Sequence, residues 1–121
     1  MATFRLFGDG VKGSADGVTA HLGLQPSHVS QQGLGWLLCS ASGPEDDVGL
    51  AVQLRQLLDI LEPTTDQLWE LAGAGYEANW LCYLGSHTTE HAAELDRDTM
   101  RRLLALPGDL WLDIYDEEPP A

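Results

Sequence analysis

The sequence has few basic residues. Lys12 is its only lysine, and six lysines and arginines are outnumbered by nineteen acids, which gives a formal net charge of −13. A field of that sign repels phosphate, so we expect neither nucleic acid nor an anionic membrane as a partner. It favours a cationic partner, such as a basic protein face or a polyamine-like ligand. The alternative is that the acidity only keeps the protein soluble.

Long apolar runs are also missing. No segment approaches the roughly 20 apolar residues of a membrane span. Met1 is followed directly by a strand-like pattern, without the basic and apolar regions of a signal peptide. The only two cysteines, Cys39 and Cys82, each lie within an apolar run. We therefore expect a cytoplasmic protein with two buried free thiols, the alternative being a bridge between adjacent strands.

Apolar periodicity predicts one α+β domain over residues 1–115 and an acidic, frayed tail over residues 116–121. The predicted strands cover 3–7, 35–41, 78–84 and 110–115. Three acids at 45–47 are predicted to open a helix with one leucine stripe, from which Gln53, Gln56 and Asp59 face away. Shorter helices are predicted after caps at Asp16, Thr64 and Asp96, and the last of them should bury Met100, Leu103 and Leu104.

The order of these elements predicts the topology. The order is β-α-β-α-α-β-α-β, and the two halves share similar helix ends, at residues 22–26 and 104–107. Two β-α-β units of this kind favour a four-stranded, ferredoxin-like sheet with helices packed mainly on one face. The likeness of the halves is short, so duplication and chance both remain possible origins.

Motifs for catalysis or metal binding are weak. His87 and His91 are four residues apart, but the H-E-x-x-H order is absent and the neighbouring glycine, serine and threonines favour a loop. Residues 8–10 lack the third glycine of a dinucleotide loop, and the acids at 45–47 suit a helix start better than calcium. No G-x-S-x-G elbow occurs. We therefore predict no cofactor, no metal and no catalytic residue, and the balance favours a protein that is not an enzyme.

One face of the predicted sheet is the candidate site. If Phe4 and Leu6 point towards the helices, alternation turns their neighbours to the other face. In the third strand the more apolar set is assigned to the helices. The residues of the candidate face are then Arg5, Phe7, Asn79, Tyr83, Trp111, Asp113 and Tyr115. Aromatic side chains beside polar groups are common in binding sites.

This face has two interpretations. In the first it is open and binds a partner. In the second the helix around Trp69 folds over it and buries it as a second core layer. Arg5 and Asp113 would then form an ion pair between neighbouring strands.

Several segments together carry a resemblance to a known family. They are the opening FRLFG, the helix end LGLQP, the pair Gly35-Trp36, the stretch LLDILEP and the closing LDIY. Across nearly the whole chain the sequence resembles the small bacterial family called domain of unknown function 4279. The resemblance implies a cytoplasmic bacterial α+β protein and supplies no catalytic residues. Some small acidic proteins of this kind resemble immunity or accessory proteins.

These observations favour a non-enzymatic protein-binding domain, of an immunity or accessory type, with a basic protein partner. The alternative is a small-molecule-binding protein or accessory biosynthetic enzyme. Its pocket would be lined by Arg5, Tyr83, Asp113 and Tyr115, with Asp113 as acid or base. The chain would be a monomer or a homodimer that pairs these faces.

Overall fold

A computed structural model describes residues 2–8, 14–30, 34–40, 49–85 and 94–115, with the backbone alone at 83–85 and 114–115. Its strands are β1 (Ala2–Phe7), β2 (His28–Val29), β3 (Gly35–Cys39), β4 (Glu77–Gly85) and β5 (Asp109–Tyr115). They form one sheet in the order β2-β3-β1-β4-β5. Only β4 and β5 are parallel, and the other neighbours are antiparallel.

The α+β class is confirmed, whereas the four-stranded ferredoxin-like sheet is not. The difference begins at the short strand β2, in a polar stretch for which the sequence predicts no strand. Ser30 N–H donates to the carbonyl of Gly35 at 2.9 Å and closes a hairpin between β2 and β3. The hairpin reverses the chain, so β3 returns antiparallel to β1. The first half of the chain therefore does not form a parallel β-α-β unit of neighbouring strands. Among the described strands, only β4 and β5 form such a unit, with α4 as the crossover.

The helices and the sheet share one apolar core. The α-helices are α1 (Ala15–Leu22), α2 (Leu50–Leu61), α3 (Thr65–Gly73) and α4 (Arg97–Leu104), with a 3₁₀ turn at Glu62–Thr64 between α2 and α3. Leucines of α2 and α3 pack with alternate residues of β1, β3 and β4. The largest of these buried side chains are Phe4, Leu6, Trp36, Trp80, Leu54, Leu57, Leu58, Leu61 and Leu68. The helices that meet this core thus lie on one side of the sheet.

The helix starts match the predicted capping only in part. Asp96 is the N-cap of α4 as predicted, and its carboxylate accepts from Thr99 N–H at 3.2 Å. Ser14, not Asp16, caps α1, because its extended backbone lets its hydroxyl accept from Gly17 N–H. Thr64 stands at the N-cap position of α3, as predicted, but its side chain makes no capping hydrogen bond. Its hydroxyl donates back to the carbonyl of Leu61 at 2.8 Å.

Helix α2 differs from its prediction at its start and on one face. Gly49 is its N-cap, and its first turn contains no acid. Gln53 was expected to face away but is buried, with its amide oxygen 3.4 Å from the Ser40 hydroxyl. A polar side chain is accommodated there because the strand end supplies a hydrogen-bond partner.

Helix α4 buries a different side from the one predicted. Met100 and Leu104 are exposed, Leu103 is partly buried, and Thr99 is fully buried. The exposed Leu104 lies just before the turn into β5. At that turn Gly108 has φ of 119° and approaches the Ala78 backbone so closely that a Cβ would be 3.2 Å from it. Glycine therefore lets β5 align against β4.

The two cysteines cannot form a bridge within the chain. Cys39 is aligned with Thr3 and Cys82 with Ala2, and these positions point to opposite faces of the sheet. Both thiols are free, as predicted, although only Cys82 is buried. Burial raises the pKa of Cys82 to about 11.

Some predicted features lie outside the described residues. They are the acids at 45–47, the glycine turn beyond Gly8, the His87–His91 string and the tail at 116–121. Within the described part of the chain, no helix has the length and apolar character needed to cross a membrane.

Candidate functional site

The sheet face turned away from the helices, here called the outer face, contains the candidate residues whose side chains are described. Strand register places Arg5 beside Asn79, and Asn79 beside Asp109. One row further along, Leu81 is aligned with Trp111. Asp113 lies two residues after Trp111 on β5. Phe7 lies two residues after Arg5 on β1, which runs antiparallel to β4. For Tyr83 and Tyr115 only the backbone is described, aligned with Asp113 and Gly85 respectively.

Arg5 is held in place by two neighbours. Its Nε–H donates to the Asn79 side-chain oxygen at 2.7 Å. Its guanidinium carbon lies 4.9 Å from the centre of the Phe7 ring, a cation–π distance. The terminal guanidinium nitrogens make no hydrogen bond with any described residue.

The predicted ion pair between Arg5 and Asp113 is wrong. Strand β4 lies between β1 and β5, and Arg5 bonds to Asn79 on β4 instead. Asp113 is aligned with a residue four positions beyond Asn79, or about 13 Å further along the strand. Arg5 and Asp113 therefore do not converge on one pocket.

The helix around Trp69, α3, does not cover the outer face. Leu68 and Leu71 of α3 belong to the core on the opposite side of the sheet. The indole of Trp69 donates to the carbonyl of Ala105 at 2.9 Å, which ties α3 to the end of α4. Among the residues described here, no helix packs on the outer face. Thr3 and Leu81 are nevertheless buried near its middle.

Strand β5 is exposed on both of its faces. Leu110 and Leu112 point to the helix side and are 40% and 50% exposed, while Trp111 on the outer face is 57% exposed. No described residue pairs with the free edge of β5. We call Asp109, Leu110, Trp111, Leu112 and Asp113 the β5 surface. Leu110 and Leu112 face the helix side without being buried there, because the helices cover β1, β3 and β4 but leave β5 open.

The charge of the β5 surface is negative. Asp109 and Asp113 are both exposed and lie on the same side of the strand as Trp111, one before it and one after it. The strand contains no basic residue, and the sequence continues with three further acids at 116–118. An indole between two carboxylates can contact an apolar stem and its cationic head at the same time.

The described residues do not assemble a metal cluster of three or more histidine, cysteine or acidic side chains. Within the described ranges, three buried polar atoms lack a hydrogen-bond partner: Gln56 Oε1, Trp80 Nε1 and Thr99 Oγ1. The chemistry that the outer face and the β5 surface offer is recognition by hydrogen bonds, ring contacts and charge.

Fold and surface together define a small α+β domain whose mixed sheet ends in an exposed, acidic and aromatic edge strand. The family described as a domain of unknown function (DUF4279) matches residues 1–117, and the chain belongs to that family. The resemblance found in the sequence is therefore confirmed. No curated protein and no solved structure matches the chain.

Proposed function

We propose that this chain is a non-enzymatic binding domain that engages a basic protein partner through the β5 surface, in an immunity or accessory role. The observation that carries the proposal is the exposure of Leu110, Trp111 and Leu112 in sequence along an edge strand. Large apolar patches on small soluble domains are commonly interaction sites, and tryptophan is enriched in binding hot spots.

Charge supports a cationic partner. Asp109 and Asp113 lie beside Trp111, and the whole chain has a net charge of −13. Such a field accelerates encounter with a basic surface, and the effect falls with ionic strength. Two thiols that cannot pair within the chain favour a reducing compartment, so we place this function in the cytoplasm.

The chain provides a matched pair of tryptophans for the test. Trp111 is 57% exposed on β5, and Trp69 is 50% exposed on the helix side. Wild type, Trp111→Ala and Trp69→Ala would each be used to capture partners from the native host. The captured proteins would then be purified and their affinities measured for all three chains.

We expect a basic partner whose affinity falls by about tenfold or more in Trp111→Ala, the size of a hot-spot loss. Trp69→Ala should bind within about twofold of wild type. Equal losses in both variants, or a partner that binds both like wild type, would refute the β5 surface as the site.

A second function is favoured by Arg5. Its guanidinium is fixed by Asn79 and Phe7, and its terminal nitrogens are free of described partners, an arrangement suited to a carboxylate ligand. A small anionic molecule would then bind on the outer face. Arg5→Lys should lose this binding, because the lysine ammonium cannot donate the two parallel hydrogen bonds that a planar guanidinium donates to one carboxylate. Binding of small carboxylates that is unchanged in Arg5→Lys would exclude this site.

A further inference from the structure

The free edge of β5 is built like a site for another strand. β5 is seven residues long and stands at the end of the sheet, where β4 is its one hydrogen-bonded neighbour among the described strands. Proteins usually protect such edges with lysine, proline, a bulge or a covering segment. The residues from Asp109 to Tyr115 include neither lysine nor proline, and no described residue covers the edge.

Charge distinguishes between the two simplest occupants of this edge. A second copy paired along β5 would bring together Asp109 and Asp113 of both chains, four carboxylates without a base, and each chain has a net charge of −13. Like charges on adjacent strands are destabilising. An extended segment with lysine or arginine would instead oppose each acid with a base.

Register also predicts the order of side chains in that segment. In a paired strand, directly opposite residues share a face. Positions opposite Asp109 and Asp113 should be basic, and they are four residues apart. Positions opposite Leu110 and Leu112 should be apolar, because these leucines are 40% and 50% exposed on the helix side. The resulting pattern is basic, apolar, any residue, apolar, basic, and it reads the same in both directions.

We infer that β5 binds an extended basic segment of a partner protein by strand addition, so that the segment becomes a sixth strand of the sheet. This inference rests on the proposed function and adds its mode of recognition. Main-chain hydrogen bonds to the edge of β5 provide affinity, and the alternating side chains provide selectivity.

The test uses two capped peptides of the same composition. The first contains Lys-Val-Thr-Val-Lys and the second Val-Lys-Thr-Lys-Val. A shift of one residue cannot rescue the second peptide, because its lysines are two positions apart instead of four. Titration against the labelled full chain, followed by amide chemical shifts, should show the first peptide binding at least roughly fivefold more tightly.

N-methylation separates strand addition from attraction by charge alone. In an extended peptide, the N–H groups of alternate residues point to opposite edges. One version of the first peptide would be methylated at positions 2 and 4, and another at positions 1, 3 and 5. Strand addition predicts that one of them binds roughly tenfold or more weakly, while the other keeps most of its affinity.

Four outcomes would overturn the inference. Equal binding of both peptide orders, or equal effects of both methylation patterns, would mean that the segment is not a strand on β5. A β5-paired dimer found by sedimentation and amide protection without peptide would assign the edge to a second copy. Absence of peptide binding would refute strand addition, whereas the proposed function would fail only if Trp111→Ala and Trp69→Ala capture the basic partner equally.

Discussion

Strands β1 and β5 look alike in sequence but differ in their surroundings. Both alternate apolar residues with polar or aromatic ones. On β1 the helix-side residues Phe4 and Leu6 are fully buried, whereas on β5 the corresponding Leu110 and Leu112 are 40% and 50% exposed. Alternation therefore fixes which side a residue faces, but the reach of the helices decides whether that side is buried. On β5 the apolar residues are available for binding.

The largest expected contrast compares two tryptophans on neighbouring strands. Trp80 on β4 is 1% exposed and packs against Phe4, with ring centres 4.6 Å apart, whereas Trp111 is 57% exposed. Trp80→Ala should reduce the free energy of unfolding by about 3–5 kcal/mol. Trp111→Ala should change it by about 0.5 kcal/mol or less. Urea denaturation measures both, and similar losses would contradict the exposed position of β5.

A smaller effect is expected where α4 joins α2. Arg102 donates to Glu62 at 2.9 and 2.7 Å and to Asp59 at 2.6 Å, and its side chain is 19% exposed. Because its partners are more exposed, Arg102→Met should cost only about 1 kcal/mol. Arg101→Met is the matched control on an exposed position and should cost less. Equal costs would mean that the bridge contributes nothing specific.

The same bridge predicts a pH dependence. The hydrogen bond from Arg102 lowers the pKa of Glu62 below its ordinary value. A carboxyl with a lowered folded pKa stabilises the fold above its unfolded pKa, and this contribution disappears as the pH falls through the folded pKa. The stability difference between wild type and Arg102→Met should therefore be full near neutral pH and shrink in acid. A difference that stays constant or grows in acid would contradict the assignment.

The smallest effect concerns reactivity rather than stability. Cys82 is fully buried on the helix side and its pKa is raised to about 11, whereas Cys39 is partly exposed. A thiol reagent at mildly alkaline pH should therefore modify Cys39 rapidly and Cys82 only slowly. Cys82→Ala should remove the slow phase alone. Loss of the fast phase in that variant would contradict the burial of Cys82.

Local signals predicted most of the elements. The strand patterns, the leucine stripe of α2 and the cap at Asp96 depend on residues a few positions apart, and the structure contains all three. The short β2 was missed because its polar sequence has no alternation, and its pairing with β3 depends on tertiary context. That missed strand changed the topology of the first half.

For the candidate site, the sequence predicted only what strand alternation can show. Alternation places Arg5 with Asn79 and Trp111 on one face, but it could not show that β4 separates Arg5 from Asp113. It also could not show that α4 leaves Leu110 and Leu112 open, because helix position depends on long-range packing. The exposure of β5 therefore emerges only in three dimensions, and the binding role of these residues stays a prediction.

Residue-resolved amide hydrogen exchange tests the central claim most directly, because it compares β1 and β5 in one sample. In the free chain, we expect slow exchange throughout β1 and fast exchange at the amides of β5 that point away from β4. Adding the peptide that contains Lys-Val-Thr-Val-Lys should slow exchange at those β5 amides and leave β1 unchanged. Edge amides of β5 that are already protected in the free chain, or that the peptide leaves fast, would contradict the account.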